Sequence, residues 1–425
     1  MTATRVEAER GEGLAARALR IVLTERVVLL AVLLVVVVVW FRVLGAGGYL
    51  VAPYDVGYLG NSLESMVPFA LLALAELFVI VSGRGGIDLS VGAIVSLAGM
   101  VFGFMVGVWG WPLLPAIAGC IAVGGLLGAV NGALVAHLRF PPLIATLATY
   151  YAYSSLALIS NANGPISTPP VVALHSLTSN VDLPLLPAIV GCVAVGGLLG
   201  AVNGALVAYL RFPALIATLA TYYAYSSLAL VSNANAPIST PAVVDLHSLT
   251  SNVRLPLLPP VPLHVFTILL PCAVLAWVVV SRSTYGRSLY AVGTNDVAAA
   301  YATQPVARTR FTAFVVSGLL SGVVAVVTVA QFASARPDAG IVGNGMALPA
   351  ITVAVLGGVA IQGGIGRVGG VLVAALLVTW LNAGMLLAFP EGSEGSRYQL
   401  LALGLVLVLS ALLNTLALRR YGRLS

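Results

Sequence analysis

The feature that most constrains the fold is a series of apolar runs long enough to form membrane-spanning helices. A helix of about twenty residues crosses the roughly 30 Å hydrocarbon core of a bilayer, whereas barrel strands need only about ten residues and alternate in polarity. Hydrophobic residues make up 60% of the chain and charged residues only 8%, too few to cover a water-exposed surface. The sequence therefore predicts an all-α fold, a polytopic transmembrane helical bundle.

Windows of about twenty residues place twelve spans along the chain, near residues 27–44, 61–81, 87–108, 114–136, 141–160, 187–208, 213–232, 261–280, 311–331, 347–363, 368–389 and 398–417. They predict a transmembrane domain at 27–417, a cytoplasmic N-terminal segment at 1–26 and a cytoplasmic tail at 418–425. A cleaved signal peptide is the alternative for the N-terminus. Its charged region would be unusually long, and no clear A-x-A site follows, so an uncleaved first span is favoured.

The basic residues set the predicted orientation. All twenty are arginines, and with the N-terminus inside, sixteen of them fall on the cytoplasmic side, leaving only Arg42, Arg254, Arg336 and Arg397 outside. This asymmetry follows the positive-inside rule. It explains the net charge of +6 better than nucleic-acid binding does, because the arginines are scattered singly or in pairs between apolar runs. The predicted surroundings are a lipid bilayer, with no nucleic-acid partner.

The absence of lysine bears on the energy source. A P-loop needs a lysine that reaches the terminal phosphates of ATP, so any ATP-driven transport would need a separate ATPase that docks on the cytoplasmic side. Residues Gly364 to Gly369 fit G-x-G-x-x-G, but they lie between two apolar spans rather than in a βαβ unit. They predict a tight cytoplasmic turn anchored by Arg367.

No catalytic, cofactor or metal site is predicted. The four histidines are scattered, and the cysteines Cys120, Cys192 and Cys272 lie inside apolar runs without metal-ligand spacing, which favours core thiols. Glu76 falls in the middle of the second span, where an unpaired charge is costly. Two alternatives stay open for Glu76: it pairs with another helix, or it lines an aqueous path.

A direct repeat fills the middle of the chain. Residues 113–184 are repeated as residues 185–256, an offset of 72 residues, and the two copies differ at nine positions. Each copy holds two predicted spans, so the repeat does not reverse the downstream orientation, unlike the inverted repeats of secondary transporters. The near-identity indicates a recent tandem duplication or an error in assembling the gene. One of the two hairpins is then surplus to the core, and either copy could be the one that fills it.

Each repeat copy carries three glycines at positions i, i+4 and i+8 of a predicted helix, Gly124, Gly128 and Gly132 in the first and Gly196, Gly200 and Gly204 in the second. This spacing predicts close packing against another helix. This row of glycines is called the glycine ridge. The amides Asn131 and Asn203 lie beside it on the predicted helix. They are predicted to form interhelical hydrogen bonds, with path lining as the alternative.

The octapeptide GGIDLSVG at residues 85–92 opens the third span. Its Asp88 and Ser90 suit the cap of a helix N-terminus, and its glycines allow a sharp turn at the membrane surface. The octapeptide also resembles a signature of the permease subunits of bacterial ABC importers for sugars, of the ribose, autoinducer-2 and rhamnose type. By that resemblance Gly86, Asp88, Ser90 and Gly92 are signature residues.

Three further segments match that family in order, at residues 131–149, 285–302 and 348–370. The resemblance implies a core of about ten spans in the type II-like importer fold, two fewer than the twelve counted here. It also implies the bacterial plasma membrane and three kinds of partner: ATPase subunits, a second permease that is identical or different, and a periplasmic or lipid-anchored solute-binding protein. Ala347 and Pro349 depart from the acidic residues that many members carry there.

The segment Ser281 to Arg310 is the longest predicted inner loop, with a short helix around AAAYA and mixed charge. From its residues alone, this segment could be a solvent-exposed linker without a function of its own. By resemblance its Gly286, Arg287, Gly293 and Asn295 belong to the element that couples the permease to the ATPase.

The expected function is therefore that of an ABC importer permease without enzymatic activity, carrying a monosaccharide or a similar small solute such as autoinducer-2 or a rhamnose-like sugar. A branched-chain amino-acid permease is the alternative within the importer class. A standalone channel or ion-coupled carrier would require intramembrane ionisable groups, and only Glu76 lies well inside a predicted span.

Overall fold

We describe the protein from a computed structural model, which places residues 25–83, 86–103, 185–232, 252–253, 261–332, 345–389, 398–399, 401–402 and 404–405. The second repeat copy is described through both of its helices. The first copy, with the spans expected near 114–136 and 141–160, lies outside the described residues, as do residues 1–24 and the tail at 418–425.

The described chain is mostly helical. Its helices are α1 Arg26–Ala46, α2 Val56–Val81, α3 Val91–Gly103, α4 Leu185–Ala208, α5 Ala214–Ser232, α6 Leu270–Arg282, α7 Thr284–Thr294, α8 Asp296–Tyr301, α9 Val306–Phe332, α10 Ala347–Leu356 and α11 Val368–Ala388. A π-helical turn, Val265–Leu269, leads directly into α6. Two strands of two residues each, β1 Asn252–Val253 and β2 Val261–Pro262, form an antiparallel pair, the one addition to the all-α prediction in the described chain.

Within the described residues, five helical segments are long and apolar enough to cross a bilayer: Arg26–Ala46, Val56–Val81, Val265–Arg282, Val306–Thr328 and Val368–Ala388. Only 17% of the apolar stretch of α1 and 22% of that of Val265–Arg282 are buried, against 83% for α2. The first two therefore have faces open to lipid, and α2 is the central helix of the packed core.

One predicted span is shorter than expected. The span placed at 347–363 is helical only over Ala347–Leu356, which at 1.5 Å per residue is about 15 Å, half of the hydrocarbon core. The helix ends in a turn where Gly358, Gly363 and Gly364 have positive φ, a conformation that glycine adopts at little cost. Hydropathy missed the break because the turn residues are themselves apolar. The tight turn expected at Gly364–Gly369 is confirmed.

Residues predicted to be cytoplasmic lie together at one end of the described core. The Arg26 guanidinium donates to the carbonyl oxygens of Val355 and Leu356 at the end of α10, at 3.1 and 3.2 Å. Arg367 faces Glu25 at 3.9 Å, and Arg211 and Arg310 line one groove of about 530 Å³. That this end of the core faces the cytoplasm stays a prediction.

The second repeat copy packs into the core through the predicted glycine ridge. Helix α4 runs antiparallel to α9, and a Cβ added at Gly196 or Gly200 would overlap the carbonyl oxygen of Gly318 or Phe314. With no side chains between them, the two backbones touch, which is the packing that small residues permit in membranes. The ridge of Gly124, Gly128 and Gly132 lies outside the described residues.

Candidate functional site

The segment Ser281–Arg310 is a pair of short helices rather than a loop. The Ser283 hydroxyl caps α7 by accepting the Gly286 N–H at 3.0 Å, and the Asn295 side chain caps α8 by accepting the Ala298 N–H at 3.0 Å. The expected AAAYA helix is confirmed as α8. Helix α7 was missed by the sequence prediction because its two glycines lower the intrinsic helix propensity.

The four residues expected to couple to an ATPase fall into two groups. Gly286 and Gly293 are buried, and the carbonyl oxygens of Val279 and Val280 leave no room for a side chain at Gly286. Arg287 and Asn295 are exposed and line a concave surface between α7 and α8. The glycines therefore hold the helices in place, and the two polar residues are the accessible ones.

At the cytoplasmic end of α2 three chain segments meet backbone to backbone, in a contact that we call the inner joint. It consists of Val81 at the end of α2, Gly83 just after it, Gly293 from α7, and Gly363 and Gly364 from the turn after α10. A Cβ added at Gly293 would overlap the Val81 carbonyl oxygen, and one at Gly83 would lie 2.9 Å from the Gly293 Cα. The Gly364 N–H donates to that same Val81 oxygen at 3.0 Å. Helix α7 is thus seated directly on the end of α2.

Arg310 ties the same region together. It is only 5% exposed, pairs with Asp296 on α8 at 3.1 Å and donates from Nε to the Ser82 carbonyl oxygen at 3.2 Å. A buried arginine of this kind needs partners for several of its N–H groups. It therefore fixes α8 and α9 to the end of α2.

Two phenols of α7 make further contacts across the cytoplasmic end. The Tyr285 hydroxyl donates to the Thr309 carbonyl oxygen at 3.2 Å, and the Tyr290 hydroxyl donates to the Gly366 carbonyl oxygen at 2.6 Å. Burial raises the pKa of both phenols, because the charged phenolate is disfavoured away from water. Both therefore stay protonated and act as donors at neutral pH.

Deeper in the core lies a second contact region, the polar junction, formed by Glu76, Asp88, Ser90, Asn203 and Ser317. Asp88 Oδ1 accepts from the Ser90 N–H at 3.1 Å, from the Ser90 hydroxyl at 2.5 Å and from Asn203 Nδ2 at 3.2 Å. Asp88 Oδ2 accepts from the Ser317 hydroxyl at 2.9 Å. One carboxylate thus joins the start of α3 to α4 and α9.

Glu76 approaches this junction from α2, where its Oε2 accepts the Asp88 N–H at 3.2 Å. All five side chains of the polar junction are fully buried. Glu76 Oε1 and Asn203 Oδ1 have no hydrogen-bond partner among the described residues. The described contact of Glu76 is this bond to the Asp88 backbone, which lies before α3, and both alternatives for Glu76 stay predictions. A path-lining role for Glu76, Asn131 or Asn203 stays a prediction, and Asn131 lies outside the described residues.

The signature residues act together at the start of α3. Asp88 Oδ1 accepts the Ser90 N–H just before the first residue of α3, Val91, so this contact shapes the turn that leads into the helix. Gly86 is needed for close approach, because an added Cβ would lie 2.5 Å from the Val79 carbonyl oxygen. Gly92 is buried in the first turn of α3. Sequence reasoning predicted a cap here but not the contacts of Asp88 with α4 and α9.

The opposite half of α2 contains a third contact region, the outer clasp, made by Pro68, the Glu64 carbonyl, His264 and Gln331. Pro68 lies inside the helix and has no N–H, so the carbonyl oxygen four residues earlier lacks its helical donor. Gln331 Nε2 donates to that Glu64 oxygen at 2.6 Å, and His264 Nε2 lies 3.3 Å from it. The ring donates in the tautomer that carries hydrogen on Nε2.

The clasp was not predicted, because its members are 200 and 267 residues apart in sequence. The one signal was a proline inside an apolar span, which requires some substitute donor. Nearby, Trp380 of α11 donates from Nε1 to the Leu59 carbonyl oxygen at 3.2 Å, and Tyr54 donates to the Trp380 carbonyl oxygen at 2.8 Å. The outer half of α2 is therefore held by side chains from three other segments.

Taken together, these contacts can transmit a displacement but contain no reacting group. The described residues hold no cluster of three or more His, Cys, Asp or Glu side chains that could bind a metal ion. The inner joint, the polar junction and the outer clasp follow one another along α2.

The sequence matches the protein family described as "Branched-chain amino acid transport system / permease component" over residues 58–171 and 170–411. It is 29% identical to the autoinducer 2 import system permease protein LsrD of Photorhabdus laumondii, over 79% of this chain and 77% of the relative. The LsrD protein of Yersinia enterocolitica is 29% identical, over 86% of each chain. The xylose transport system permease protein XylH of Escherichia coli K12 is 30% identical, over 85% of this chain and 86% of the relative. No solved structure matches the chain.

Proposed function

The chain belongs to the branched-chain amino acid transport system / permease component family, and from that premise we propose that it forms the path for a monosaccharide or a similar small solute. It is the multi-pass membrane permease of a bacterial ABC importer, and the ATPase is a separate subunit. Relatives named for xylose and for autoinducer 2 support a sugar-like solute. The family description supports a branched-chain amino acid as the alternative.

The observation that carries the mechanism is the inner joint. Gly293 of the coupling segment lies against Val81 and Gly83 at the end of the central helix with no side chain between them. Backbone atoms in contact have no rotamer through which to absorb a displacement. Closure of the ATPase subunits against α7 and α8 would therefore shift the cytoplasmic end of α2 and bias the permease between outward and inward access.

The surface offered to the ATPase is formed by the exposed residues of the coupling segment. Tyr301 is 87% exposed and Val297 57% exposed on α8, and Arg287 and Asn295 line a separate concave surface between α7 and α8. Arg211, not Arg287, lines the same groove as Val297 and Tyr301. An exposed tyrosine beside an apolar side chain and an arginine is a composition enriched at protein interfaces. A second permease and a solute-binding protein complete the proposed assembly.

The coupling role is tested by replacing Tyr301 with alanine and measuring association with the ATPase subunit and ATP-dependent uptake in proteoliposomes. Tyr49→Ala is the matched control, because Tyr49 is 74% exposed but lies after α1, on the predicted outer side. We expect Tyr301→Ala to weaken ATPase binding at least about tenfold, the effect of one interface anchor, with the control unchanged. Equal binding by both variants would refute the coupling surface.

The solute is tested with the ATPase and binding protein encoded beside this chain. Uptake of labelled xylose, rhamnose, ribose and leucine is measured in the presence and absence of ATP. We expect ATP-dependent uptake of one of the sugars, and competition by its unlabelled form. Uptake of leucine without uptake of any sugar would establish the alternative substrate instead.

A further inference from the structure

The contacts of the second repeat copy define a site between α2, α3 and α9 that we call the hairpin slot. Asn203 enters the polar junction, and the Thr218 hydroxyl donates to the Ile87 carbonyl oxygen at 2.6 Å. Three glycines lie so close to α9 that an added Cβ at each would overlap a backbone carbonyl oxygen, namely Gly196, Gly200 and Gly204. The slot therefore accepts a hairpin with small residues at three positions and two polar side chains at fixed places.

Every one of these residues recurs in the first repeat copy, 72 positions earlier. The polar pair recurs as Asn131 and Thr146, and the glycines recur as Gly124, Gly128 and Gly132. Six buried apolar residues of the second copy also recur unchanged: Val195, Leu199, Val202, Leu206, Phe212 and Ile216 correspond to Val123, Leu127, Val130, Leu134, Phe140 and Ile144. Val195 and Leu199 pack into the main core, whereas Val202, Leu206, Phe212 and Ile216 pack against one another within the hairpin, so the first copy carries matching residues for both kinds of contact.

The differences between the copies fall where the slot tolerates them. Among the second-copy residues whose side chains are described, only two differ from the first copy: Tyr209 stands where the first copy has His137, and Ala214 where it has Pro142. Tyr209 is 56% exposed. Ala214 is 3% exposed and packs with Val79 and Phe314, so Pro142 would add two ring carbons to a buried contact. Ala214 is also the first residue of α5, the helical position that proline occupies most readily, because its N–H needs no helical acceptor. Neither difference excludes the first copy.

We propose that the hairpin slot is interchangeable: residues 113–160 can fill it in place of residues 185–232, with the displaced hairpin left in the lipid. The exchange keeps the orientation of every later span, because each copy contributes two spans. Residue 113 follows Gly103, the last described residue of α3, by ten positions, so the first copy lies next to the slot along the sequence. This inference concerns folding and does not depend on the identity of the solute.

Two cysteine pairs report which copy occupies the slot, in a chain whose three native cysteines are replaced by serine. A Cβ at Gly197 would contact the Leu319 side chain, so Gly197→Cys with Leu319→Cys should form a disulfide when the second copy is in place. Gly125→Cys with Leu319→Cys reports the first copy, since Gly125 is the equivalent residue. Disulfide formation is measured by mobility shift in membranes, without any transport assay.

The occupant is then changed by Gly200→Ile, which places a branched side chain against the backbone of Phe314 and Gly318. We expect the 197–319 disulfide to be lost, the 125–319 disulfide to rise several-fold, and the protein to remain folded. Gly128→Ile should leave the 197–319 disulfide unchanged. Only the double variant, Gly128→Ile with Gly200→Ile, should fail to fold.

Three results would overturn the proposal. The first is loss of the 197–319 disulfide in Gly200→Ile without a rise in the 125–319 disulfide. The second is misfolding of Gly200→Ile alone to the same degree as the double variant. The third is misfolding of Gly128→Ile alone, which would show that the first copy has an indispensable place of its own. Transport by Gly200→Ile is measured in parallel. If this variant switches from the 197–319 to the 125–319 disulfide as expected but does not transport, the result counts against the proposed function only.

Discussion

The two ends of the central helix α2 are held in opposite ways. At the inner joint, Gly83, Gly293 and Gly363 bring backbone against backbone, and no side chain can rotate to relieve a displacement. At the outer clasp, the side chains of His264 and Gln331 satisfy one carbonyl that Pro68 leaves free. The inner end of α2 is therefore suited to transmit a displacement. The outer end is held by individual side-chain hydrogen bonds, which can break one at a time.

The largest effect is expected at the inner joint. Gly293→Val would place a branched side chain on the Val81 carbonyl oxygen, and overpacking of this kind costs about 3 kcal/mol. We expect loss of folded protein in detergent and loss of uptake. Gly369→Val is the matched control, because an added Cβ at Gly369 meets nothing within 4 Å. A stable, active Gly293→Val variant would show that the joint is looser than its geometry requires.

An intermediate effect is expected at the polar junction, between the two ends. Asp88→Ala removes the acceptor of the Ser90, Asn203 and Ser317 side chains, and stranding buried donors costs about 2 kcal/mol. Asp88→Asn keeps an oxygen in the same place and should cost less. The measurement is the apparent Tm in detergent. Equal losses for the two variants would contradict a role of Asp88 as a shared acceptor.

A smaller effect is expected at the outer clasp, and a double-mutant cycle makes it specific. Gln331→Leu removes the donor 2.6 Å from the Glu64 carbonyl oxygen, at a cost of about 1 kcal/mol. Pro68→Ala restores an N–H that can bond this carbonyl within the helix. In the Pro68→Ala background Gln331→Leu should therefore cost measurably less. Additive losses would mean that Gln331 stabilises the protein through some other contact.

The smallest effect is expected from removing the first repeat copy. Fusing Pro112 to Leu185 leaves 425 − 72 = 353 residues and touches neither the inner joint nor the outer clasp. We expect the shortened chain to transport at least as well as the full chain, with an apparent Tm that is unchanged or higher. Failure to assemble with the ATPase would show that the duplicated hairpin has a function.

The sequence predicted the features that depend on local pattern. Apolar runs located the long helices of the described chain within about five residues, apart from the early end of α10 at Leu356, whereas the short helix α7 was missed. The arginines predicted which residues share the cytoplasmic end, and the spacing of Gly196, Gly200 and Gly204 predicted a close helix pair. These properties follow from the length of a membrane span and from helical periodicity, so a single chain displays them without knowledge of its neighbours.

The tertiary structure decided which distant residues meet. The sequence shows a proline in α2, but only the fold supplies Gln331, 267 residues from Glu64, as the substitute donor. It predicts Asp88 as a helix cap, but only the fold brings Ser317 to it, 229 residues away. The two repeat copies are nearly identical, and the fold seats the second one, through Asn203, in the core. Composition and periodicity determine where each helix lies in the sequence. Hydrogen-bond partners are determined by how the helices pack, because a buried polar group bonds to whatever group lies beside it in space.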